Sequence, residues 1–271
     1  MKKHQRRRSS LPASLLGAGL AIFLATGPAL AIDILPHRAV YEMKLGKTAR
    51  DTGITSVQGT LVLIWEDACD EWVIGQRLFL SISREDASFT TSTAFDTHES
   101  KDGLEFSFED ITVHEPGGVE HATGRARLIG GGGDGSLVLD EPEPGQFVLP
   151  KGTVFPTAQM IDILDRAQAG ERFMSHLVYD GTDGKNLFDV TTAVGEPTER
   201  IVEDAAGGQV VIWPMRIAFY PYGSSDELPE AEIGADIQAN GVARRIVFDY
   251  GSFTVESMLT SIEALPKAVC E

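Results

Sequence analysis

Hydrophobic and polar positions alternate along much of this chain. Leu78, Leu80 and Ile82 alternate with Phe79, Ser81 and Ser83, and Ile246, Phe248 and Tyr250 alternate with Arg245, Val247 and Asp249. A period of two places the two sets on opposite faces of an extended segment, the signature of a half-buried β-strand. Runs of this kind predict strands over 37–45, 59–65, 72–83, 88–95, 104–113 and 137–139. Later runs predict strands over 173–179, 187–194, 209–220, 241–250 and 253–259. Turn-forming residues stand between them: Asp102-Gly103, Pro116-Gly117-Gly118, Asp180-Gly181, Asp183-Gly184 and Asn240-Gly241. Glycine supplies positive φ in such turns, and Asp or Asn closes a local hydrogen bond. Strands in close succession with almost no helix between them predict an all-β, mainly antiparallel meander. Its sheet has to curl or close to protect its edges.

One segment breaks the pattern. Pro150 to Pro156 lead into it, and Thr157 is a candidate N-cap. Met160, Ile161, Leu164 and Ala167 then repeat at helical spacing, with Asp162 and Asp165 on the other face and Gly170 as the stop. This predicts one main α-helix whose apolar stripe packs into the hollow of the curved sheet. Three stretches read as loops: the glycine run at 130–133, the stiff acidic connector Glu141-Pro142-Glu143-Pro144-Gly145, and a long polar insertion over 220–232. The connector reads as a link or as a hinge between halves. No repeat of fixed period is present.

The N-terminus reads as an export signal. Lys2, Lys3, Arg6, Arg7 and Arg8 precede an apolar stretch over 11–24, and Ala29-Leu30-Ala31 fits small-x-small cleavage. The expected organisation is a cleaved leader over 1–31 and a single domain over 32–271, located in the periplasm. No cysteine follows the cleavage site, so a lipid anchor is not expected, and no later run is apolar for long enough to cross a bilayer as a helix.

The leader distorts the charge. The whole chain carries 23 basic and 40 acidic residues. Without the five basic residues of the leader, 18 basic residues face 40 acidic ones, a formal charge of −22. Such a surface repels nucleic acid and anionic head groups. It suits a soluble protein or a partner with basic patches.

The chain has two cysteines, Cys69 and Cys270. Thiols exported to an oxidising compartment normally form a disulfide. A bond between these two would tie the C-terminus to the early part of the domain and enclose almost the whole domain. Loop-closure entropy makes such a staple worth up to about 5 kcal/mol. There is no C-x-x-C, so a thioredoxin-like redox role is not indicated.

Catalytic patterns are scarce. No G-x-S-x-G nucleophile elbow is present, and Gly223-Ser224-Ser225-Asp226 does not supply one. Ser175 and His176 are strand neighbours, whose side chains point to opposite faces. The segment from His114 to His121 is nearly mirror-symmetric. A two-residue turn at Gly117-Gly118 would set His114 opposite His121, where the two imidazoles could share a transition-metal ion. A turn with Pro116 and Gly117 at its corners slides the histidines out of register. No third ligand is evident, and no metal is expected. The acidic run 180–186 lacks EF-hand spacing and reads as a hairpin turn.

Six features occur together in order. They are His37-Arg38-Ala39-Val40-Tyr41, Cys69-Asp70-Glu71-Trp72, Phe155-Pro156-Thr157 before a single helix, Tyr179-Asp180-Gly181, Asp249-Tyr250-Gly251 and the terminal Cys270. Together they resemble the EipB family of alphaproteobacterial periplasmic proteins, which is linked to cell-envelope integrity. The resemblance covers essentially the whole domain. Gln159 stands where a histidine is expected in much of that family. The resemblance implies a β-spiral or cup of about fourteen strands, a Cys69–Cys270 disulfide, and similarity to LolA/LolB-type carriers, whose curved sheets hold acyl chains. It implies no enzymatic activity, no cofactor and no catalytic residue. The expected function is a non-enzymatic periplasmic protein that supports the envelope by scaffolding or binding a protein partner. The alternative is a carrier that holds a lipid or acyl chain in the concave face of the sheet.

Overall fold

The first strand, β1 (His37–Thr48), shows how the sequence pattern becomes a fold. His37, Ala39, Tyr41 and Met43 are buried, whereas Arg38, Glu42 and Lys44 are exposed. One face therefore builds a core and the other meets solvent. The computed structural model describes residues 32–50, 52–130, 134–182, 184 and 186–270. The leader expected over 1–31, residues 131–133 of the glycine run, and Asp183 and Lys185 of the 180–186 turn lie outside the described residues.

The strands after β1 are β2 (Ile54–Ala68), β3 (Glu71–Arg84), β4 (Ser88–Ser100), β5 (Glu105–Glu115), β6 (Val119–Leu128), β7 (Gly135–Glu141), β8 (Gly145–Leu149) and β9 (Thr153–Val154). The helix α1 (Pro156–Gln168) follows. Then come β10 (Phe173–Tyr179), β11 (Leu187–Val194), β12 (Thr198–Val202), β13 (Gly208–Pro221), β14 (Ala231–Gln238), β15 (Ala243–Asp249) and β16 (Phe253–Ala264). All sixteen belong to one sheet. The sheet has sixteen strands where about fourteen are expected; β9 is two residues long and β12 pairs with β13 off the main path.

The strand order explains the shape. β1 sits mid-sheet, paired with β2 on one side and β16 on the other. From β1 the chain steps outward by antiparallel hairpins to β8, and from β16 the order runs outward on the other side through β15, β14, β13, β11 and β10 to β9. The two ends of the sheet are thus β8 and β9. Only Pro150, Lys151 and Gly152 separate Leu149 from Thr153, so the ends lie within about 15 Å of each other. The sheet nearly closes into a barrel. Irregularities at Val40/Tyr41, Thr123/Gly124 and Asp236/Ile237 help it bend.

The helix has a topological reason. Among the described residues β9 and β10 form the one parallel pair, and antiparallel hairpin turns cannot join parallel strands. α1 is the crossover between them. It buries Ile163, Leu164 and Ala167 against a cluster that includes Tyr41, Trp65, Met174 and Trp213. A second, aromatic cluster holds Phe106, Phe108, Phe155 and Tyr179. The helix therefore fills only part of the hollow.

Three local expectations change. The 141–145 segment is the tight β7–β8 turn, with Leu139 paired to Gly145, and not a hinge. The polar insertion ends early, because residues 231–238 form β14. Its inward positions include Ile233, Ala235 and Ile237, and the small Ala235, with Gly234 on the other face, blurs the alternation. β12 was not legible because four of its five residues are exposed and no alternation marks it.

Candidate functional site

The helix start is built on proline chemistry. Proline forces the residue before it into extended geometry and is pre-organised for the first helical position. Phe155 accordingly has φ −99° and ψ 163° and is the N-cap, with Pro156 inside the helix. The expected N-cap, Thr157, is instead the second residue of the helix, and Phe155 has no side-chain oxygen to cap the free amides. Glu99 supplies the missing cap from β4. Its carboxylate accepts hydrogen bonds from the backbone N–H groups of Thr157 and Ala158, each at 2.7 Å. The next amide, of Gln159, donates to the carbonyl of Phe155.

Glu99 is 2% exposed. Burial pushes its carboxyl up to about 7, and the helix amides only partly offset that rise. Sequence reasoning missed this residue. The signal was present: Thr97 and Glu99 are alternate, inward positions of β4, so the alternation carries a carboxylate into the interior.

Beside this helix terminus lies a cavity of about 330 Å³, at the lower end of the usual size for small-molecule sites. Leu61, Leu63 and Trp65 line it from successive inward positions of β2, and Ile74, Phe219 and Phe248 from three other strands. Leu63, Ile74, Ile233, Ile246 and Phe248 are only half-buried although they point inward. These are the exposed apolar surfaces of an unfilled interior. Gln159, on the first turn of α1, and Trp65 also belong to the wall. They are 8% and 6% exposed. The side-chain Nε2 of Gln159 and the indole Nε1 of Trp65 have no hydrogen-bond partner. Leaving a buried donor unpaired costs about 1–3 kcal/mol. Asp180 is the ionisable residue of the described wall, which contains no Lys, Arg or His. The Asp180 carboxylate is engaged by the backbone N–H and hydroxyl of Thr182.

The other histidines have separate places. His37 is buried and its Nδ1 bonds the Leu35 carbonyl at 2.7 Å, while burial holds its pKa below the ordinary value. His176 is half-buried, and its Nε2 lies 2.7 Å from the Asp162 carboxylate, which Arg166 also contacts. The Nδ1 of His176 has no partner, so no hydroxyl nucleophile is hydrogen-bonded to it. In the β5–β6 hairpin, Val113 pairs with Val119 and Ile111 with His121. The two-residue turn at Gly117-Gly118 is therefore not formed, and His114 does not face His121. His114 instead approaches Thr91 and Glu120, and His121 approaches Glu109. Among the described residues no group of three or more His, Cys, Asp or Glu side chains could hold a metal ion.

Cys69 and Cys270 are joined by a disulfide with a Cα–Cα distance of 5.7 Å, across 201 positions of sequence. Cys69 lies in the two-residue turn between β2 and β3 and has φ +62°, a conformation that disfavours a side chain. The tail that reaches it is also held by Lys267, whose ammonium lies 2.5 Å from Asp33. Asp67, beside the turn, binds the amides of Cys69 and Ala268 and the Lys101 ammonium, and these contacts hold its carboxyl below the usual range.

These features can be set beside known proteins. A curated relative, the cell envelope integrity protein EipB of Brucella abortus (strain 2308), is 26% identical over 248 residues, covering 88% of this chain and 87% of its own. A crystal structure of a beta-barrel-like protein of domain of unknown function DUF1849, also from Brucella abortus, superposes with a TM-score of 0.79 at 25% identity. That match covers 87% of this chain and 100% of the other. The EipB-like family model matches residues 28–266, which takes in the curled sheet, the helix and the cavity they enclose, and the chain accordingly belongs to the EipB-like family.

Proposed function

We propose that this protein supports cell-envelope integrity by holding an acyl chain or a similar apolar ligand inside its curled sheet. The apolar cavity at the start of α1 is the observation that carries this reading. Inward-facing Leu, Ile and Phe side chains keep exposed surface there that the fold itself does not cover. Burying such surface is worth about 25 cal/mol per Å², so a chain-like ligand gains affinity by displacing water from it. The envelope role follows from the name of the Brucella relative. Export to the periplasm by a cleaved leader over 1–31 is part of the proposal, as is a non-enzymatic mode of action.

Native mass spectrometry of the protein purified from the periplasm without detergent tests the reading. A discrete adduct of lipid mass, lost on denaturation, is expected. A clean apo mass, together with no uptake of added acyl ligands, sinks it. Scaffolding or binding of a basic protein partner is the second reading, favoured by the strongly acidic domain. It predicts a stable complex in a pull-down from envelope extracts.

A further inference from the structure

We infer that the head of the apolar ligand lies on a ladder of threonines beside the cavity, and that the ligand is a chain with a hydroxyl-rich head, as in a glycolipid. This deepens the proposed function and rests on it.

The strand register places the ladder. Thr97 and Glu99 are buried inward positions of β4, so Phe95, Thr93 and Thr91 share their face. Phe106 and Phe108 are buried inward positions of β5, so Asp110, Thr112 and His114 share theirs. Gln76 of β3 pairs with Phe95, and both line the cavity. The next inward row across β3, β4 and β5 is Leu78, Thr93 and Thr112, and the row after it is Leu80, Thr91 and His114. Each row lies about 7 Å beyond the last. The apolar wall therefore passes into a polar strip on the same inner surface. Thr91, Thr93 and Thr112 are half-buried, and the His114 side chain is 40% exposed, so the strip is open to a ligand.

The hydrogen bonds within the strip decide what it offers. The Thr112 hydroxyl donates to the Asp110 carboxylate at 3.2 Å. That spends its proton, so the Thr93 hydroxyl, 2.9 Å away, donates to the Thr112 oxygen. The Nε2 of His114 lies 3.7 Å from the Glu120 carboxylate, which keeps the proton of the neutral ring on that nitrogen. Nδ1 then accepts from the Thr91 hydroxyl at 3.2 Å. Both threonine protons of β4 are used inside the strip. Each oxygen keeps lone pairs, and Thr91 and Thr93 present them as acceptors two residues apart on one strand. Acceptors call for donors. A carboxylate or an ester carbonyl brings only further acceptors, whereas a sugar or glycerol head brings several O–H groups and reaches both threonines.

Tryptophan fluorescence titration with three C10 probes tests this, because Trp65 lines the cavity. The probes are n-decyl β-D-glucoside, decan-1-ol and decyltrimethylammonium, each kept monomeric at pH 8. The glucoside is expected to bind at least about tenfold tighter than the other two, the size of effect that one or two hydrogen bonds supply. The double variant Thr91→Val with Thr93→Val removes the hydroxyls and keeps the shape. It should weaken the glucoside about tenfold and leave decan-1-ol within about twofold. Thr91→Ser with Thr93→Ser keeps the hydroxyls and should bind the glucoside like wild type, which separates their chemistry from a loss of folding. Ser92→Ala, between them on the outer face, should change nothing. A glucoside that binds no tighter than decan-1-ol overturns the inference and leaves the cavity reading intact, as does tightest binding of decyltrimethylammonium. Equal weakening of all probes in the valine variant, or none, also overturns it. Binding of no probe overturns the cavity reading and the inference with it.

Discussion

The carboxylate of Glu99 caps the backbone amide of Thr157 across 58 positions of sequence, at 2.7 Å. A helix whose own N-cap residue is a phenylalanine thus borrows its cap from a strand of the sheet. The contact ties the start of α1, and with it one wall of the cavity, to β4.

That contact has a pH signature. The folded protein keeps the Glu99 proton up to about pH 7, whereas an ordinary glutamate releases it near 4.5. Between those values the folded state binds more protons than the unfolded chain, so this group's contribution to stability falls as pH rises. The full effect is of order 3 kcal/mol. His37, held neutral by burial, acts in the opposite direction below its ordinary value of 6.5. The comparison with Glu99→Gln isolates the glutamate. The stability of wild type minus that of the variant is expected to decline between pH 5 and pH 7.5, read by denaturant unfolding at each pH. A constant difference across that range refutes the assignment.

The Cys69–Cys270 staple should matter for stability and leave the fold intact. β1 and β16 already pair along most of their length, so the ends of the domain meet without it. Cys69→Ser or Cys270→Ser is expected to cost about 2–5 kcal/mol and lower the melting temperature by about 5–15 °C. Calorimetry with and without reductant checks this. Identical melting in the two conditions contradicts it.

Gly181 offers a sharper test of packing. Its φ is +81°, and a Cβ there would come within 2.7 Å of the Phe108 ring. Gly181→Ala adds backbone strain to overpacking and is expected to cost about 2–4 kcal/mol. Gly53 also has positive φ, at +65°, but its Cβ position is open. Gly53→Ala should cost only the backbone part, about 1 kcal/mol. Equal losses in urea denaturation would show that the contact with Phe108 does not matter.

Filling the cavity should separate binding from stability. Ala235 is buried on β14 and lines the cavity. Ala235→Phe places a ring in the open space. The expected outcome is loss of the acyl adduct in native mass spectra with a melting temperature equal to or above wild type. An adduct that persists at full occupancy places the ligand elsewhere.

Much of the architecture was legible in the chain. Period-two alternation marks 173–179 and 187–194 to the residue, because those strands have one face on the core and one on solvent. It fails at β12, which is exposed on both faces, and at β14, where small residues weaken the contrast. The helix is visible from its 3.6-residue spacing, but its cap lies two residues before the threonine that the sequence suggests. A threonine has the chemistry of a cap, and only the distant Glu99 makes a phenylalanine workable in that position.

The sequence by itself determined what depends on neighbours along the chain: strand periodicity, turn residues, the helix over 156–168 and the surplus of acidic side chains. Resemblance extended this to the family, because ordered motifs survive where individual residues do not. Only the tertiary structure decided that β1 lies mid-sheet beside β16, that the His114–His121 hairpin pairs Val113 with Val119 and keeps its histidines apart, and that Glu99 reaches the helix. The cavity is also a product of folding. It exists because a thirteen-residue helix is too short to fill a sheet that curls nearly to closure, and volume left over is a property of how elements meet in space, not of any one of them.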